Sequence, residues 1–298
     1  MEKEAERMKQ IAVISGKGGT GKTIISASLA VLSAPCVTAD CDVDAANMHL
    51  MLRHSVLETY EFRAGQMAGL DRKKCIECQK CVSVCRFKAV DKNLEIDPFS
   101  CEGCGLCAKI CAAGAITMKE SIAGEWFVSG TDYGPFVHAK LGIAEDNSGK
   151  LVSRVREAAR KKAEEAGLDT VIIDGPPGTG CAAMAAITGA DFVIIVTEPT
   201  VSGLHDLKRA AEVVRHFKIK AGVIVNKYDL NSGKSGEIEL FCAKEKLSLL
   251  GKIAFSECVP AAVNKGVPPL LECGETAAEI RECREALLRE AKITVGKN

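Results

Sequence analysis

The sequence has no excess of charge of either sign: 39 Lys and Arg face 39 Asp and Glu, for a formal net charge of +0. Non-specific nucleic-acid binding needs a basic field that neutralises phosphates, so a nucleic-acid role is disfavoured. Long apolar runs are missing too. None reaches the ~18 residues of a membrane span, and the opening Met1-Glu2-Lys3-Glu4-Ala5-Glu6-Arg7 is charged where a secretory signal would be apolar. The expectation is a cytoplasmic protein without stable membrane insertion. What is present in quantity is cysteine, 15 in 298 residues. Intracellular thiols stay reduced, so this number argues against disulfides and for metal ligation. With 47% hydrophobic residues the chain can bury a large core and is not disordered.

Hydrophobic patterning divides the chain. Gln10 to Ser15 is an apolar run ending at a Gly-rich turn, and similar strands are expected at Cys36 to Asp40, Thr170 to Asp174, Asp191 to Thr197, Lys220 to Asn226 and near Lys252 to Phe255. Helical stretches at Lys150 to Ala166, Leu204 to Phe217 and Gly233 to Leu247 separate them. Strands rich in Val and Ile on both faces, alternating with helices, predict an α/β fold with a mostly parallel sheet covered by helices on both faces. A polar, Cys-rich span breaks the rhythm and reads as an insertion at 62–118, leaving a discontinuous domain of 1–61 and 119–298. Gly130 to Gly149 reads as loop with a short helix. Glu145 to Lys150 reads as a helix-starting turn, and Glu279 to Lys292 as a packed terminal helix.

The loop Gly16-Lys17-Gly18-Gly19-Thr20-Gly21-Lys22-Thr23 satisfies Gly-x4-Gly-Lys-Thr in full. Its backbone N–H groups and the following helix N-terminus suit phosphate. Lys22 would reach the β- and γ-phosphates, and the Thr23 hydroxyl would ligate Mg²⁺. Asp40-Cys41-Asp42-Val43-Asp44 follows the second strand, where carboxylates point into the crevice used by ligands of open α/β sheets. Asp44 reads equally as a switch residue or as a helix N-cap. Asp174-Gly175-Pro176-Pro177-Gly178 closes the third expected strand as an acidic terminus with a Gly-rich turn. Asp174 would hold the water shell of Mg²⁺, and the Gly178 N–H would sense the γ-phosphate.

Eight cysteines form two copies of one spacing, Cys75-x2-Cys78-x2-Cys81-x3-Cys85 and Cys101-x2-Cys104-x2-Cys107-x3-Cys111. This is the bacterial ferredoxin spacing for [4Fe–4S] cubes. A zinc ribbon also uses Cys-x2-Cys pairs but does not explain three tight cysteines plus one, twice. Resemblance to two-cluster ferredoxins implies Cys75, Cys78, Cys81 and Cys111 for one cluster and Cys85, Cys101, Cys104 and Cys107 for the other. The Pro that ferredoxins place after the fourth cysteine is replaced by Arg86 and Ala112.

The Lys-Gly-Gly-x-Gly-Lys-Thr loop, with Lys17 as its first lysine, resembles that of the MinD/ParA/nitrogenase-iron-protein ATPases. The whole chain resembles members of that superfamily carrying an inserted two-cluster ferredoxin domain of α+β type. The resemblance implies a P-loop NTPase and a nucleotide-dependent homodimer in which Lys17 acts across the interface. Asp42 would orient or deprotonate the attacking water, and Asp40 would support Mg²⁺ through water. Asn226, in Asn226-Lys227-Tyr228-Asp229, would contact the purine edge. That string also resembles the guanine-reading Asn-Lys-x-Asp, so ATP is favoured by the resemblance and GTP stays open. Thr197-Glu198-Pro199-Thr200 is assigned shape rather than chemistry. Cys181 matches a cluster ligand of the nitrogenase iron protein and is an additional candidate ligand or transfer thiol, while Cys41, in the first switch where that protein also has a cysteine, reads first as packing. Cys36, Cys242, Cys258, Cys273 and Cys283 read as small buried hydrophobes.

ATP, Mg²⁺ and two [4Fe–4S] clusters are thus the expected cofactors. The insertion is expected to be tethered directly to the first switch. Two uses follow: ATP-gated electron transfer to a redox partner protein, or ATP-dependent maturation of an iron–sulfur or metal client. A positioning role of the MinD/ParA type is a third reading.

Overall fold

The computed structural model describes residues 8–142 and 148–291. Nine strands form one sheet: β1 (Lys9–Ser15), β2 (Val37–Asp40), β3 (His54–Leu70), β4 (Ile116–Thr131), β5 (Gly134–Leu141), β6 (Thr170–Pro177), β7 (Phe192–Thr197), β8 (Lys220–Asn226) and β9 (Ser248–Ile253). Their order across the sheet is β3-β4-β5-β2-β6-β1-β7-β8-β9. All pairings from β5 to β9 are parallel, for example Ile11 opposite both Ile172 and Phe192. The helices are α1 (Lys22–Leu32), α2 (Lys80–Val84), α3 (Leu106–Ile110), α4 (Ser148–Ala166), α5 (Cys181–Ile187), α6 (Val201–His216), α7 (Ser232–Glu245), α8 (Cys258–Asn264), α9 (Pro269–Glu272) and α10 (Gly274–Ala291).

Two compact units divide the chain: Met1–Thr59, Trp126–Lys140 and Ser148–Asn298 form the first, and Tyr60–Glu125 with Leu141–Asn147 the second. In the first, successive residues of a strand point to opposite faces. Every residue of β1 from Ile11 to Ser15 is nevertheless buried, which only a sheet covered on both sides allows. Ile11, Val13, Ile172 and Ile194 pack with Ile25 and Leu29 of α1 and Ile280 and Leu287 of α10. A second cluster joins Ala27, Met48, Met51, Leu52 and Phe136.

Three expectations are corrected here. The stretch expected as loop with a short helix contains β5, whose Phe136, Val137, His138 and Ala139 are all buried beside β2. Gly130, Asp132, Gly134 and Pro135 are residue types that favour turns, but only Asp132 sits in the turn, and Gly130, Gly134 and Pro135 lie within β4 and β5. Residues 143–147 lie outside the described residues, and with them most of the expected helix-starting turn at Glu145 to Lys150. The insertion does not leave the first switch directly: Met48, Met51 and Leu52 are anchored in the core before β3 begins. Asp44 does not cap a helix either. It is exposed in a turn, and the short 3₁₀ turn beyond it starts after Asn47.

The second unit has little core. Helices α2 and α3 contain no buried residue, and the buried side chains around them are small or few, such as Ala68, Ala89, Val90, Leu94 and Ala115. Of the seven non-glycine residues with positive φ among the described residues, four lie here: Glu77, Gln79, Lys88 and Leu94. Gln79 and Gly105, both left-handed, stand at equivalent places before α2 and α3.

Candidate functional site

The loop between β1 and α1 lines a cleft of about 600 Å³, with Lys22 and Thr23 on one side and Asp42, Asp44 and Pro176 on the other. This volume suits a nucleotide-sized ligand. A cavity of about 380 Å³, also lined by Gly19 and Gly21, extends from it between Asn226, Lys227, Phe255 and Pro260. Residues from the C-terminal ends of β1, β2, β6 and β8 therefore meet, as an open parallel sheet dictates. Gly21 has to be glycine. Its φ is +92°, and a Cβ there would lie 2.4 Å from Asn226 Nδ2. Asn226 Nδ2 in turn donates to Thr20 O at 2.9 Å, and its Oδ1 accepts from Lys227 N at 3.1 Å. Asn226 thus locks the loop between β1 and α1 while it lines this second cavity.

The acidic residues gather at one end of the cleft. Asp174 is fully buried; its Oδ1 accepts from Ser26 Oγ at 2.7 Å, while its Oδ2 has no hydrogen-bond partner. Burial lifts its pKa to about 6, opposed by the Ser26 and Thr23 hydroxyls and the Lys22 charge. Asp40 is also fully buried and accepts from Asp42 N and Met48 N, both at 3.1 Å. Burial, and next the Asp174 charge, push its pKa well up. Asp42 is raised by burial, with Lys22 opposing. Carboxylates so crowded are poorly compensated by the buried Lys22 alone. The unpartnered Asp174 oxygen, the Thr23 hydroxyl and Asp40 fit the donor set of Mg²⁺.

Glu198 carries more than shape. It receives Lys17 Nζ at 2.5 Å and Lys227 Nζ at 3.3 Å, and Lys17 also reaches Ser202 Oγ at 3.2 Å. The signal available in the sequence was an acidic residue directly after a parallel strand, the position already read as functional for Asp40 and Asp174. Gly178 has a φ of +90°, and its N–H donates to Ser15 O at 2.9 Å. Asp229 Oδ1 accepts from Phe255 N at 2.7 Å, and the residue does not line the cavity beside Asn226. A guanine-reading role for Asp229 therefore lacks support.

In the second unit, Cys85 lines one small apolar cavity together with Cys101, Cys104 and Cys107, beside Phe87 and Val90. The first triplet is also close-set, since Cys75 and Cys78 act electrostatically on Cys81. Cys111 Sγ accepts from Ala115 N at 3.3 Å, and backbone N–H groups of this turn hold its thiol below the usual range. Among the described residues, no three His, Cys, Asp or Glu stand close enough to hold a single metal ion.

The remaining cysteines divide. Cys36, Cys242 and Cys283 are buried singly, as expected. Cys258 and Cys273 instead form a disulfide, contrary to expectation, because α8 and α9 bring their Cα atoms to 5.7 Å. Cys41 is fully buried, and burial drives its thiol pKa up, in keeping with a packing role. Cys181 is exposed at the start of α5.

A Gly-rich loop between a central parallel strand and a helix, facing an acidic strand end across a nucleotide-sized cleft, defines a P-loop nucleotide-binding α/β protein. More narrowly, the chain belongs to the CobQ/CobB/MinD/ParA nucleotide binding domain family, whose model matches residues 11–270. An uncharacterized protein of Methanocaldococcus jannaschii is 36% identical over 226 residues, covering 75% of this chain and 79% of that one. An iron-sulfur cluster carrier protein of Pyrococcus horikoshii is 24% identical over 316 residues, with 99% and 90% covered. Among solved structures, the MinD cell division protein of Aquifex aeolicus has a TM-score of 0.57 at 18% identity, covering 97% of this chain and all of that one. No helix among the described residues is long and apolar enough to cross a membrane.

Proposed function

We propose that the protein binds and hydrolyses ATP and holds two [4Fe–4S] clusters, and that nucleotide state gates electron transfer through them to a partner protein. One observation carries the cluster half of this reading: Cys85, from the first Cys motif, shares a cavity with the three close cysteines of the second. Each cysteine of such a site binds a different iron, so its ligands stand further apart than around one ion. The crossed set Cys85, Cys101, Cys104 and Cys107 fits that demand, and Cys75, Cys78, Cys81 and Cys111 are its counterpart. Bound there, the cubes would supply one-electron transfer.

The nucleotide half follows from the family. Backbone N–H groups of residues 16–23 and the Lys22 ammonium bind the phosphates, and the adenine enters the cavity beside Asn226 and Phe255. Thr23, Asp174 and Asp40 would hold Mg²⁺. Asp42, raised in pKa at the cleft wall, orients the attacking water and accepts its proton. Lys17 leaves Glu198 and reaches the phosphates of a second copy, stabilising transition-state charge there. Residues 42–47 then rearrange around the phosphates, ahead of the anchored Met48, Met51 and Leu52.

Delivery of a cluster or metal to a client is the second reading. The iron-sulfur carrier relative and the exposed Cys181 favour it. Anaerobic EPR of the reduced, reconstituted protein, with iron and sulfide analysis and with or without Mg-ATP, separates the two. About eight irons whose signals shift with ATP support gating. Irons lost to a mild chelator when ATP is present support delivery, and fewer than four irons would remove the two-cluster reading.

A further inference from the structure

We propose that Cys258 and Cys273 form a thiol–disulfide redox site that sets the nucleotide affinity of the base cavity. The bond joins two helices of unequal anchorage. In α9, Pro269 and Leu270 are buried, and Leu270 packs in the main core with Ala277 and Ile280 of α10. In α8 only Ala262 is buried. Yet α8 and the residues before it form one wall of the base cavity through Phe255, Val259, Pro260 and Val263. The far end of α8 is held by Val263, which packs against the cluster of Met48, Met51 and Leu52. What the disulfide fastens to the core is therefore the first turn of α8, with Val259 and Pro260 of the cavity wall. Another side-chain tie between the two segments, Lys265 Nζ to Glu272 Oε2 at 2.9 Å, is exposed and holds little.

The chemistry is exchange with a small-molecule disulfide. The Cys258 thiolate, partly buried at the start of α8, attacks RSSR, forming a mixed disulfide and releasing RS⁻. The Cys273 thiolate then attacks the Cys258 sulfur, closing the protein disulfide and releasing a second RS⁻. Two protein thiols are oxidised and one RSSR becomes two RSH after protonation. Reduction by a dithiol runs the sequence backwards. Once the first turn of α8 is released, only a fraction of molecules holds the cavity wall in place, and apparent affinity falls by that fraction.

The test is binding of a fluorescent ADP analogue to the anaerobic full-length protein. The protein is equilibrated either in glutathione disulfide buffer or with dithiothreitol, and differential alkylation with mass spectrometry reads the state of both cysteines. Reduction should raise Kd at least about threefold, equivalent to a competent fraction of about one third. Cys258→Ser should show the weaker Kd in both buffers, with a melting curve confirming that it is folded. An unchanged Kd on verified reduction of the wild-type protein would overturn the proposal, and that measurement needs no variant. So would full alkylation of both cysteines in the oxidising buffer, or a shift that persists in Cys258→Ser. Iron assayed in the same samples keeps this outcome separate from the fate of the clusters.

Discussion

The nucleotide-binding unit and the cysteine-rich unit reach a defined structure by opposite means. The first buries Val and Ile on both faces of a parallel sheet, so its geometry follows from hydrophobic burial and backbone pairing. The second has five-residue helices with no buried side chain and places even Leu94 at positive φ. So small a core rarely sustains a fold unaided; cross-links or metal must supply the rest. The difference teaches where each unit is vulnerable: one to loss of packing or charge balance, the other to loss of its thiolates.

Four perturbations would break or sharpen this contrast. The largest effect is expected from Lys22→Ala, which removes the cation facing Asp42 and Asp174. ATP turnover should fall at least about a hundredfold while iron content stays unchanged. Iron lost together with turnover would show that the units are not separable. Next, Cys85→Ser should lower iron from about eight to about four per chain and leave ADP affinity intact, read by iron assay and calorimetry. Retention of all the iron would refute the crossed ligand set.

The third is an acid effect confined to the nucleotide-binding unit, because all five histidines lie outside residues 60–125. His138 is buried, stacks on Phe136 and Phe127, and is bonded to Ser129 Oγ. Burial, then the charges of His54 and His49, lower its pKa to about 4. The unfolded chain takes up this proton below pH ~6.5 and the folded one does not, so stability is present above that pH and is lost as pH falls towards 4. The loss is on the order of 3 kcal/mol. The raised carboxylates Asp40 and Asp174 act with the opposite sign. The test is therefore the difference between the wild-type protein and His138→Phe in urea unfolding followed by Trp126 fluorescence, which should change by about 2 kcal/mol between pH 7 and pH 5. The smallest effect is expected for Glu198→Gln, which weakens the tie to Lys17 and Lys227. A loss of about 1 kcal/mol, or ~2–4 °C in Tm, is expected without loss of iron.

Much of the first unit was legible in the sequence, because apolar strands and the Gly-x4-Gly-Lys-Thr loop announce themselves locally. The strand at Gly134–Leu141 did not, since glycine, proline and aspartate around it speak for turns while its burial depends on the distant β2. Glu198 was missed for a related reason: its partner Lys17 lies far away in sequence and becomes a neighbour only when β1 and β7 pair. The disulfide was hidden by a sound general rule about thiols in reducing surroundings, which does not weigh the approach of two particular helices. In the second unit the cysteine spacing named candidate ligands, but the long β3 and β4 around it carry no comparable local signal.

The order in which the chain is made gives the split first unit one more consequence. Its central strand β1 is completed only when β6 arrives at Thr170 and β7 at Phe192, whereas residues 60–125 are contiguous. During synthesis from the N-terminus, the eight motif cysteines emerge long before the sheet around β1 can close. The thiols are thus accessible while their neighbours are still unfinished, and the slow long-range pairing comes last.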